Sequence, residues 1–294
     1  MKMNEKYDTI FAILFLKVYK VYIYMFDSKC CICSTVKNCG KYLEKVLQNM
    51  DIIGAMFSDY KIIISYDKSH DNTLDIIKNY QKTNNINNAC RLILHINEDI
   101  LHEYRVYNIA KARNKCLDII KEQFNDYDYF IMMDSDDVCY ETPQINVLEY
   151  YLMRENVKEW DALSFNKEPY YDVWAFSKYP YSYGCMHFKD WHAWGTYIEN
   201  IIRSTPPKTL IPCLSAFNGF SIYKTEKFIN CVYDGKPRFD LIPSHLLKIN
   251  ESIAGKIWLK GKAGLIDCEH RSFHLLAINK NNAKIRIAPE ILFL

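Results

Sequence analysis

The chain has 294 residues, of which 49% are hydrophobic and 24% charged, and its 37 basic and 35 acidic residues give a formal net charge of +2. This composition is typical of a folded globular protein large enough for one α/β domain with an elaboration, and it excludes the basic footprint of a nucleic-acid-binding protein. The 11 cysteines are odd in number and several lie inside apolar runs, which favours buried free thiols in a reducing compartment over a disulfide framework.

The N-terminal segment, residues 1–28, carries two apolar stretches, 10–16 and 21–26, that are separated by lysines. Together they fall short of the roughly 20 apolar residues of a spanning helix, and no small-residue cleavage site of a signal peptide follows them. We predict a tail or a helix that contacts a membrane surface peripherally while its lysines reach towards water. The expected location is therefore cytoplasmic, or on the cytoplasmic side of a membrane.

Between residues 29 and 142, short apolar runs alternate with segments whose apolar residues recur at helical spacing. The predicted strands are 30–36, 61–66, 91–96 and 129–133, and the longest predicted helix is 107–124. This alternation predicts βαβ units and a mostly parallel, Rossmann-like sheet flanked by helices. Because such sheets bind ligands beyond the carboxyl ends of their strands, we expect the polar segments that follow these strands to share one cleft.

The pattern changes after Pro143, where strands and helices become less regular. We predict a helix over 147–157, strands over 161–165 and 215–224, and an irregular, aromatic-rich stretch over 168–195. No linker or internal repeat divides the chain. The sequence therefore predicts a single domain over 29–294, with a nucleotide-binding half at 29–142 and an elaborated substrate half at 143–294.

Three acids, Asp134, Asp136 and Asp137, directly follow the fourth predicted strand. Side chains two residues apart project to the same side of an extended chain. Mg²⁺ and Mn²⁺ prefer such hard oxygen ligands and keep coordination positions for substrate phosphates. Asp134 and Asp136 are therefore predicted metal ligands. The alternative is a solvated acidic turn that caps the following segment.

Further candidate residues lie in the third helix and in the second half of the chain. Arg113 is suited to pairing with a phosphate or an aspartate, unless it is simply an exposed helix residue. Glu269 is a candidate general base, and His270 or His274 could complete the coordination of a cation, although such residues are often structural. Asp172, among tyrosines and tryptophans, is the candidate for hydrogen bonds to a sugar; otherwise these rings fill the core.

These motifs, in this order, resemble those of GT-A fold nucleotide-sugar glycosyltransferases. The resemblance rests on STVKN at 34–38, DKSHDNT at 67–73, ARN at 112–114 and the DxD of 134–136. The later segments are similar to a narrower group, the capsule-type α-1,3-mannosyltransferases and related giant-virus glycosyltransferase-like proteins. That similarity rests on WDALSFN at 160–166, YYDVWAF at 170–176, FNGFSIY at 217–223 and DCEH at 267–270.

The resemblance implies a nucleotide-sugar-binding half at 29–142 and an acceptor half at 143–294. It implies that Thr35 and Asp67 contact the nucleoside of a UDP- or GDP-sugar and that Arg113 lies near the nucleotide. It further implies that Asp134 lies beside the ribose and the metal, and that Asp136 ligates the Mn²⁺ or Mg²⁺ that bridges the diphosphate.

For the reaction itself, the resemblance implies that Glu269 deprotonates the acceptor and that His274 binds the metal, with His270 as the alternative ligand. The chain departs from the family by having Glu-His where Glu-Asp is usual. With Asp172 as the second catalytic candidate, the expected activity is sugar transfer to a hydroxyl of a glycan, glycoprotein or glycolipid. The giant-virus similarity adds a virion or virus factory as an expected location.

Three other functions remain open at this stage. A nucleotidyltransferase would need a glycine-rich phosphate loop after the first strand, and residues 34–40 contain one glycine. A non-catalytic carbohydrate-binding protein could use the same scaffold, but the acids, Arg113 and Glu269 argue against it. A metal-dependent hydrolase would use the same acids and release free sugar even when an acceptor is present.

Overall fold

The computed structural model describes residues 25–84, 91–182, 191–254 and 266–294. The strands are β1 Phe26–Val36, β2 Phe57–Asp67, β3 Leu92–Asn97, β4 Tyr129–Met133, β5 Ala162–Asn166, β6 Ile211–Cys213, β7 Phe220–Lys224 and β8 Ile285–Ile291. The helices are α1 Leu43–Gly54, α2 Thr73–Thr83, α3 Arg105–Gln123, α4 Ile145–Leu152, α5 Trp191–Ser204, α6 Thr225–Phe228, α7 Ser244–Ala254 and α8 Glu269–Asn281. Short 3₁₀ turns occur at Asp137–Cys139, Val157–Glu159 and Phe239–Leu241.

The described strands form one eight-stranded sheet in the order β3-β2-β1-β4-β7-β5-β8-β6. Strands β1 to β4 are mutually parallel, β7 is inserted antiparallel between β4 and β5, and β5 pairs in parallel with β8. The α/β fold with a mostly parallel sheet flanked by helices is thus confirmed. The carboxyl ends of β1 to β5 and the amino end of β7 meet at one edge of the sheet.

Alternating residues of β1 show how the sheet is covered on both faces. Cys31 and Cys33 pack into a cluster with residues of α3, α5 and α8, whereas Cys30 and Ile32 pack into a second cluster with residues of α1, α2 and α4. Strands buried on both faces read as continuous apolar runs, which explains the predicted strands of the first half. The described cysteines are free, and all but the intermediate Cys39 are buried.

Several sequence predictions differ from the structure. Strand β1 begins at Phe26, before the predicted boundary at residue 29, and residues 1–24 of the predicted apolar segment lie outside the described residues. The stretch predicted as irregular ends in α5, which begins at Trp191. Within the predicted strand 215–224, the regular strand begins only at Phe220, whereas Ser215 forms an isolated bridge with Ser177 and the chain bends at 218–219. Within the described residues, no helix has the length and apolar character needed to cross a membrane.

Candidate active site

A cavity of about 990 Å³ opens at the carboxyl edge of the sheet. It is lined by residues from the ends of β1, β2 and β4, from α3, from the segment that follows β5 and from the start of α8. Seven of the predicted site residues line it: Thr35, Asp67, Arg113, Asp134, Asp136, Asp172 and Glu269. The topology therefore brings together residues that are up to 234 positions apart in sequence (269 − 35).

The two predicted metal ligands lie where β4 leaves the sheet. The backbone N–H of Asp134 donates to the carbonyl oxygen of Gly219 at 2.7 Å, which holds the chain beside β7. Asp136 caps the 3₁₀ turn, since its Oδ1 accepts a 3.1 Å hydrogen bond from the N–H of Val138. Its Oδ2 accepts a 3.2 Å bond from the Tyr171 hydroxyl. Asp136 therefore caps the turn, as the alternative interpretation of the sequence predicted, and it also lines the cavity.

Arg113 is the central charge of the site and is only 4% exposed. Its Nη2 lies 3.1 Å from Asp134 Oδ1, and its Nη1 contacts Glu269 Oε1 and His270 Nε2. The guanidinium also stacks over the Phe217 ring at 4.8 Å. The alternative of an exposed helix arginine is therefore wrong. Burying a cation is costly unless it is paired, and here two carboxylates compensate it.

Two acids of the cavity, Asp134 and Asp172, have pKa values above those of acids in water. Burial raises the pKa of Asp134 to about 7; Arg113 opposes this shift, and the nearby carboxylates of Asp136, Asp172 and Glu269 reinforce it. Burial likewise raises the pKa of Asp172 to about 6, against a hydrogen bond from the N–H of Ala175. An excess of negative charge in a partly buried cleft is an environment that a divalent cation would stabilise.

The fit to a divalent cation rests on Asp134 and Asp136. They supply carboxylate oxygens in an accessible cavity, and Mg²⁺ or Mn²⁺ commonly binds through one or two carboxylates with water and phosphate oxygens completing the octahedron. The described part of the chain contains no cluster of three or more His, Cys, Asp or Glu side chains arranged to hold a metal.

His274 does not line this cavity. It is fully buried, its Nδ1 lies 2.9 Å from the Ser215 hydroxyl, and its Nε2 lies 3.2 Å from the Tyr223 hydroxyl. Burial lowers its pKa to about 3, so the ring is neutral. The face of α8 that carries His274 packs on β7, and this placement does not favour His274 as a metal ligand. His270 lies closer to the acids, but its Nε2 is occupied by Arg113, and its pKa is lowered by burial and by that guanidinium.

Part of the cavity wall is formed by the ends of β1 and β2 and by the segment that follows β1. Asp67 is 9% exposed, and its Oδ1 accepts a 2.7 Å hydrogen bond from Asn97 Nδ2 at the end of β3. Asp71 ties the loops after β1 and β2 together by accepting from the N–H groups of Gly40 at 2.9 Å and Thr73 at 3.1 Å. The two acids of the DKSHDNT segment thus differ: Asp71 has a structural role, and Asp67 lines the cavity.

The sequence indicated Tyr171 as one of the aromatic residues suited to a sugar but did not single out Asn97 or Asn218, although each of the three bonds to a predicted site residue or to its backbone. For Asn218, the physical signal in the sequence was the Asn218-Gly219 dipeptide before a strand, which indicates a tight turn. The predicted role of the aromatic stretch is divided: Tyr170 and Phe176 are core residues, while Tyr171 and Trp174 line the cavity.

Comparison with solved structures finds distant likenesses. A mannosyltransferase from Pyrobaculum calidifontis, in complex with GDP-Man and Mn²⁺, is 13% identical with a TM-score of 0.41, over 69% of this chain and 46% of that one. S. aureus TarS residues 1–349 in complex with UDP is 15% identical with a TM-score of 0.45, over 90% of this chain and 59% of that one. Glucosyl-3-phosphoglycerate synthase from Mycobacterium tuberculosis, in complex with UDP, is 10% identical with a TM-score of 0.38, over 78% and 67%.

The chain thus spans about half the length of the first two solved structures that it matches. Among curated proteins, none matches it in sequence. Residues 31–157 match the family model Glycosyl transferase family 2. The matched segment contains β1 to β4, the loop at 67–73, Arg113 and the acids after β4. Residues 31–157 are thus similar to glycosyltransferase family 2, which agrees with the enzyme class predicted from the sequence, a glycosyltransferase.

Proposed function

We propose that this protein is a metal-dependent glycosyltransferase that moves a sugar from a UDP- or GDP-sugar to a hydroxyl of a glycan, glycoprotein or glycolipid. The observation that carries the proposal is the convergence of seven predicted residues on one cavity at the carboxyl edge of the sheet. The family match of residues 31–157 supports the same reaction class. In this proposal, residues 29–142 form the donor half and residues 143–294 the acceptor half.

The nucleoside binds at the end of the cavity formed by Thr35 and Asp67. Asn97 occupies Oδ1 of Asp67, so Oδ2 is the oxygen that accepts hydrogen bonds from the base or ribose. Arg113 lines the same cavity, and its charge is already shared by Asp134 and Glu269. It therefore orients these two carboxylates as well as adding positive potential near the nucleotide.

Asp134 and Asp136 would hold the cation through their carboxylate oxygens. A bound Mn²⁺ or Mg²⁺ would stabilise the charge that develops on the nucleoside diphosphate as the sugar leaves. Because burial raises the pKa of Asp134 to about 7, this carboxyl group is partly protonated near neutral pH and would lose its proton on binding a cation. The geometry of His274 does not support its inclusion in the ligand set.

Glu269 is the proposed base for the acceptor hydroxyl. Its Oε1 is held by Arg113, which leaves Oε2 to accept the hydroxyl proton while the hydroxyl oxygen attacks the sugar. Asp172 lies in the same cavity and is the proposed hydrogen-bond acceptor for sugar hydroxyls, with Tyr171 and Trp174 supplying apolar faces beside it. The narrower resemblance to capsule-type mannosyltransferases, a virion or virus-factory location and peripheral membrane contact through residues 1–28 stay predictions.

Thermal unfolding with a nucleotide panel, with and without Mn²⁺, tests the proposal. A diphosphate present at about 100 times its Kd adds about 2.7 kcal/mol to the free energy of unfolding. We expect UDP or GDP to stabilise the protein only when Mn²⁺ is present, and the stabilising nucleotide identifies the donor class. Absence of any metal-dependent shift would favour a non-catalytic carbohydrate-binding protein on the same scaffold.

The Asp136→Ala variant separates the cation site from the fold. We expect it to unfold cooperatively but to lose the Mn²⁺-dependent shift, because Asp136 is partly exposed and belongs to neither core cluster. Asp137→Ala is the matched control, since Asp137 is the adjacent acid, is exposed and does not line the cavity. Equal loss of the shift in both variants would refute the assignment of the cation to Asp136.

A further inference from the structure

The Asn218-Gly219 dipeptide stands at the point where β7 enters the sheet between β4 and β5. Gly219 has a φ of +82°, and a Cβ there would lie 2.2 Å from a methyl carbon of Val138. Glycine is therefore required for the close approach of β7 to the turn that follows β4. This approach allows the Gly219 carbonyl to accept the N–H of Asp134. One residue of the dipeptide thus locates the first of the proposed cation ligands.

The other residue locates the segment that carries Tyr171 and Asp172. Asn218 is 4% exposed, and its Oδ1 accepts hydrogen bonds from the backbone N–H of Tyr171 at 2.9 Å and of Asp172 at 3.0 Å. Its Nδ2 donates to the carbonyl oxygen of Phe165 in β5 at 3.1 Å. The side-chain amide is therefore anchored to the sheet at one end and holds two consecutive backbone N–H groups at the other.

The same segment returns to the cation ligands. The Tyr171 hydroxyl donates to Asp136 Oδ2, and Asp172 Oδ1 accepts a 3.0 Å bond from the N–H of Ala175, which restrains its carboxylate. A continuous set of contacts thus runs from Asp134 through the dipeptide to Tyr171 and back to Asp136. The spacing between the two cation ligands and the carboxylate of Asp172 depends on the one buried amide in this circuit.

We propose that Asn218 is a positioning residue that sets the location of the donor sugar relative to the nucleotide; this rests on the proposed function. Recognition of sugar hydroxyls by Asp172 requires that its carboxylate be held within about 0.5 Å of the productive position. The proposed nucleoside contacts, Thr35 and Asp67, lie on β1 and β2, whereas the hydrogen bonds of Asn218 join the backbone of Tyr171 and Asp172 to Phe165 of β5. Loss of the Asn218 amide therefore weakens binding of the sugar portion and leaves binding of the nucleoside diphosphate unchanged.

The test compares each nucleotide sugar with its own diphosphate by titration calorimetry in Mn²⁺. The probes are UDP, UDP-glucose, UDP-N-acetylglucosamine, GDP and GDP-mannose. For Asn218→Ala we expect the Kd of the diphosphate to stay within about twofold of wild type. We expect the Kd of the preferred nucleotide sugar to rise about tenfold, because Asp172 is displaced from its position for bonding to the sugar. Asn156→Ala is the matched control, because Asn156 donates to the Tyr150 carbonyl and does not line the cavity.

The outcomes distinguish this inference from the proposed function. If the wild-type protein binds a diphosphate with Mn²⁺ and Asn218→Ala binds sugar and diphosphate as wild type does, the positioning role is refuted while the proposed function stands. Equal weakening of both ligands also overturns it, since that result indicates general damage to the site. If the wild-type protein binds no nucleotide with metal, the proposed function fails and the inference fails with it.

A second variant, Tyr171→Phe, probes the circuit without disturbing the core. Tyr171 is 44% exposed, so removal of its hydroxyl should not prevent folding. The lost hydrogen bond to Asp136 should change the Mn²⁺ concentration for half-maximal UDP or GDP stabilisation by about three- to tenfold. An unchanged Mn²⁺ requirement would show that the Tyr171 hydroxyl does not affect cation binding by Asp136, and it would refute the proposed link between this segment and the cation ligands.

Discussion

Replacement of Arg113 with methionine should destabilise the protein strongly, although Arg113 lies in the wall of a cavity. The side chain of Arg113 is 5% exposed, and its partners Glu269 and Asp134 are 7% and 19% exposed. Methionine fills much of the same volume, so the main loss is electrostatic. Removal of one partner from a buried ion pair leaves an uncompensated charge and costs about 3–5 kcal/mol. For a chain of this size, 3 kcal/mol corresponds to a fall in melting temperature of roughly 6–12 °C.

The loss should depend on pH with a defined sign. In the folded wild type, the pKa of Asp134 is about 7, above its ordinary value of 3.8, so its contribution to stability is full at low pH and is lost as the pH rises through 7. Arg113 opposes this upward shift, and its removal raises the pKa further. Replacement of Arg113 should therefore lower the free energy of unfolding more at pH 8 than at pH 6. At pH 8, Asp134 either ionises without its cationic partner or keeps its proton, and both states are unfavourable.

Urea denaturation at pH 6 and pH 8 measures this prediction, with Arg203→Met as the matched control. Arg203 is 61% exposed, and its pairs with Glu168 and Glu199 are 3.7 and 3.5 Å long, so we expect a change within about 0.5 kcal/mol. A double-mutant cycle with Glu269→Gln should give a coupling of about 2 kcal/mol or more. A loss below about 1 kcal/mol for Arg113→Met, or a coupling near zero, would refute the central role of this ion pair.

Three further predictions follow from the same contacts. Glu269→Gln should retain Mn²⁺-dependent nucleotide binding by calorimetry but lose turnover by at least about 100-fold, as for loss of a general base; normal turnover would remove Glu269 from the mechanism. Mn²⁺ affinity in the presence of UDP or GDP should fall about tenfold from pH 8 to pH 6, because Asp134, with a pKa of about 7, is protonated at the lower pH; a flat profile would contradict competition between proton and cation. Gly219→Ala, with its φ of +82° and its contact with Val138, should cost about 1–3 kcal/mol in urea denaturation, whereas Gly195→Ala in α5, whose added Cβ lies 3.6 Å from its nearest neighbour, should cost nothing.

The sequence by itself determined the alternating strands and helices of the first half and the polar residues that follow the strands. Strand β4 covers the predicted 129–133, and the helix predicted at 107–124 is observed at Arg105–Gln123. These elements were predictable because hydrophobic periodicity is a property of neighbouring residues. Because ligands bind beyond the carboxyl ends of parallel strands, the sequence also predicted that Thr35, Asp67 and Asp134 share one cleft.

Only the tertiary structure decided which of the later residues reach that edge. Glu269 and His274 lie five positions apart, yet Glu269 lines the cavity beside Arg113 while both nitrogens of His274 contact residues of the protein interior. The pairing of Arg113 with Glu269 joins residues 156 positions apart and depends on the order of strands in the sheet, which local periodicity does not contain. The antiparallel entry of β7 likewise gives Asn218 its contacts, because a pair of backbone N–H groups finds its acceptor only after distant segments have packed together.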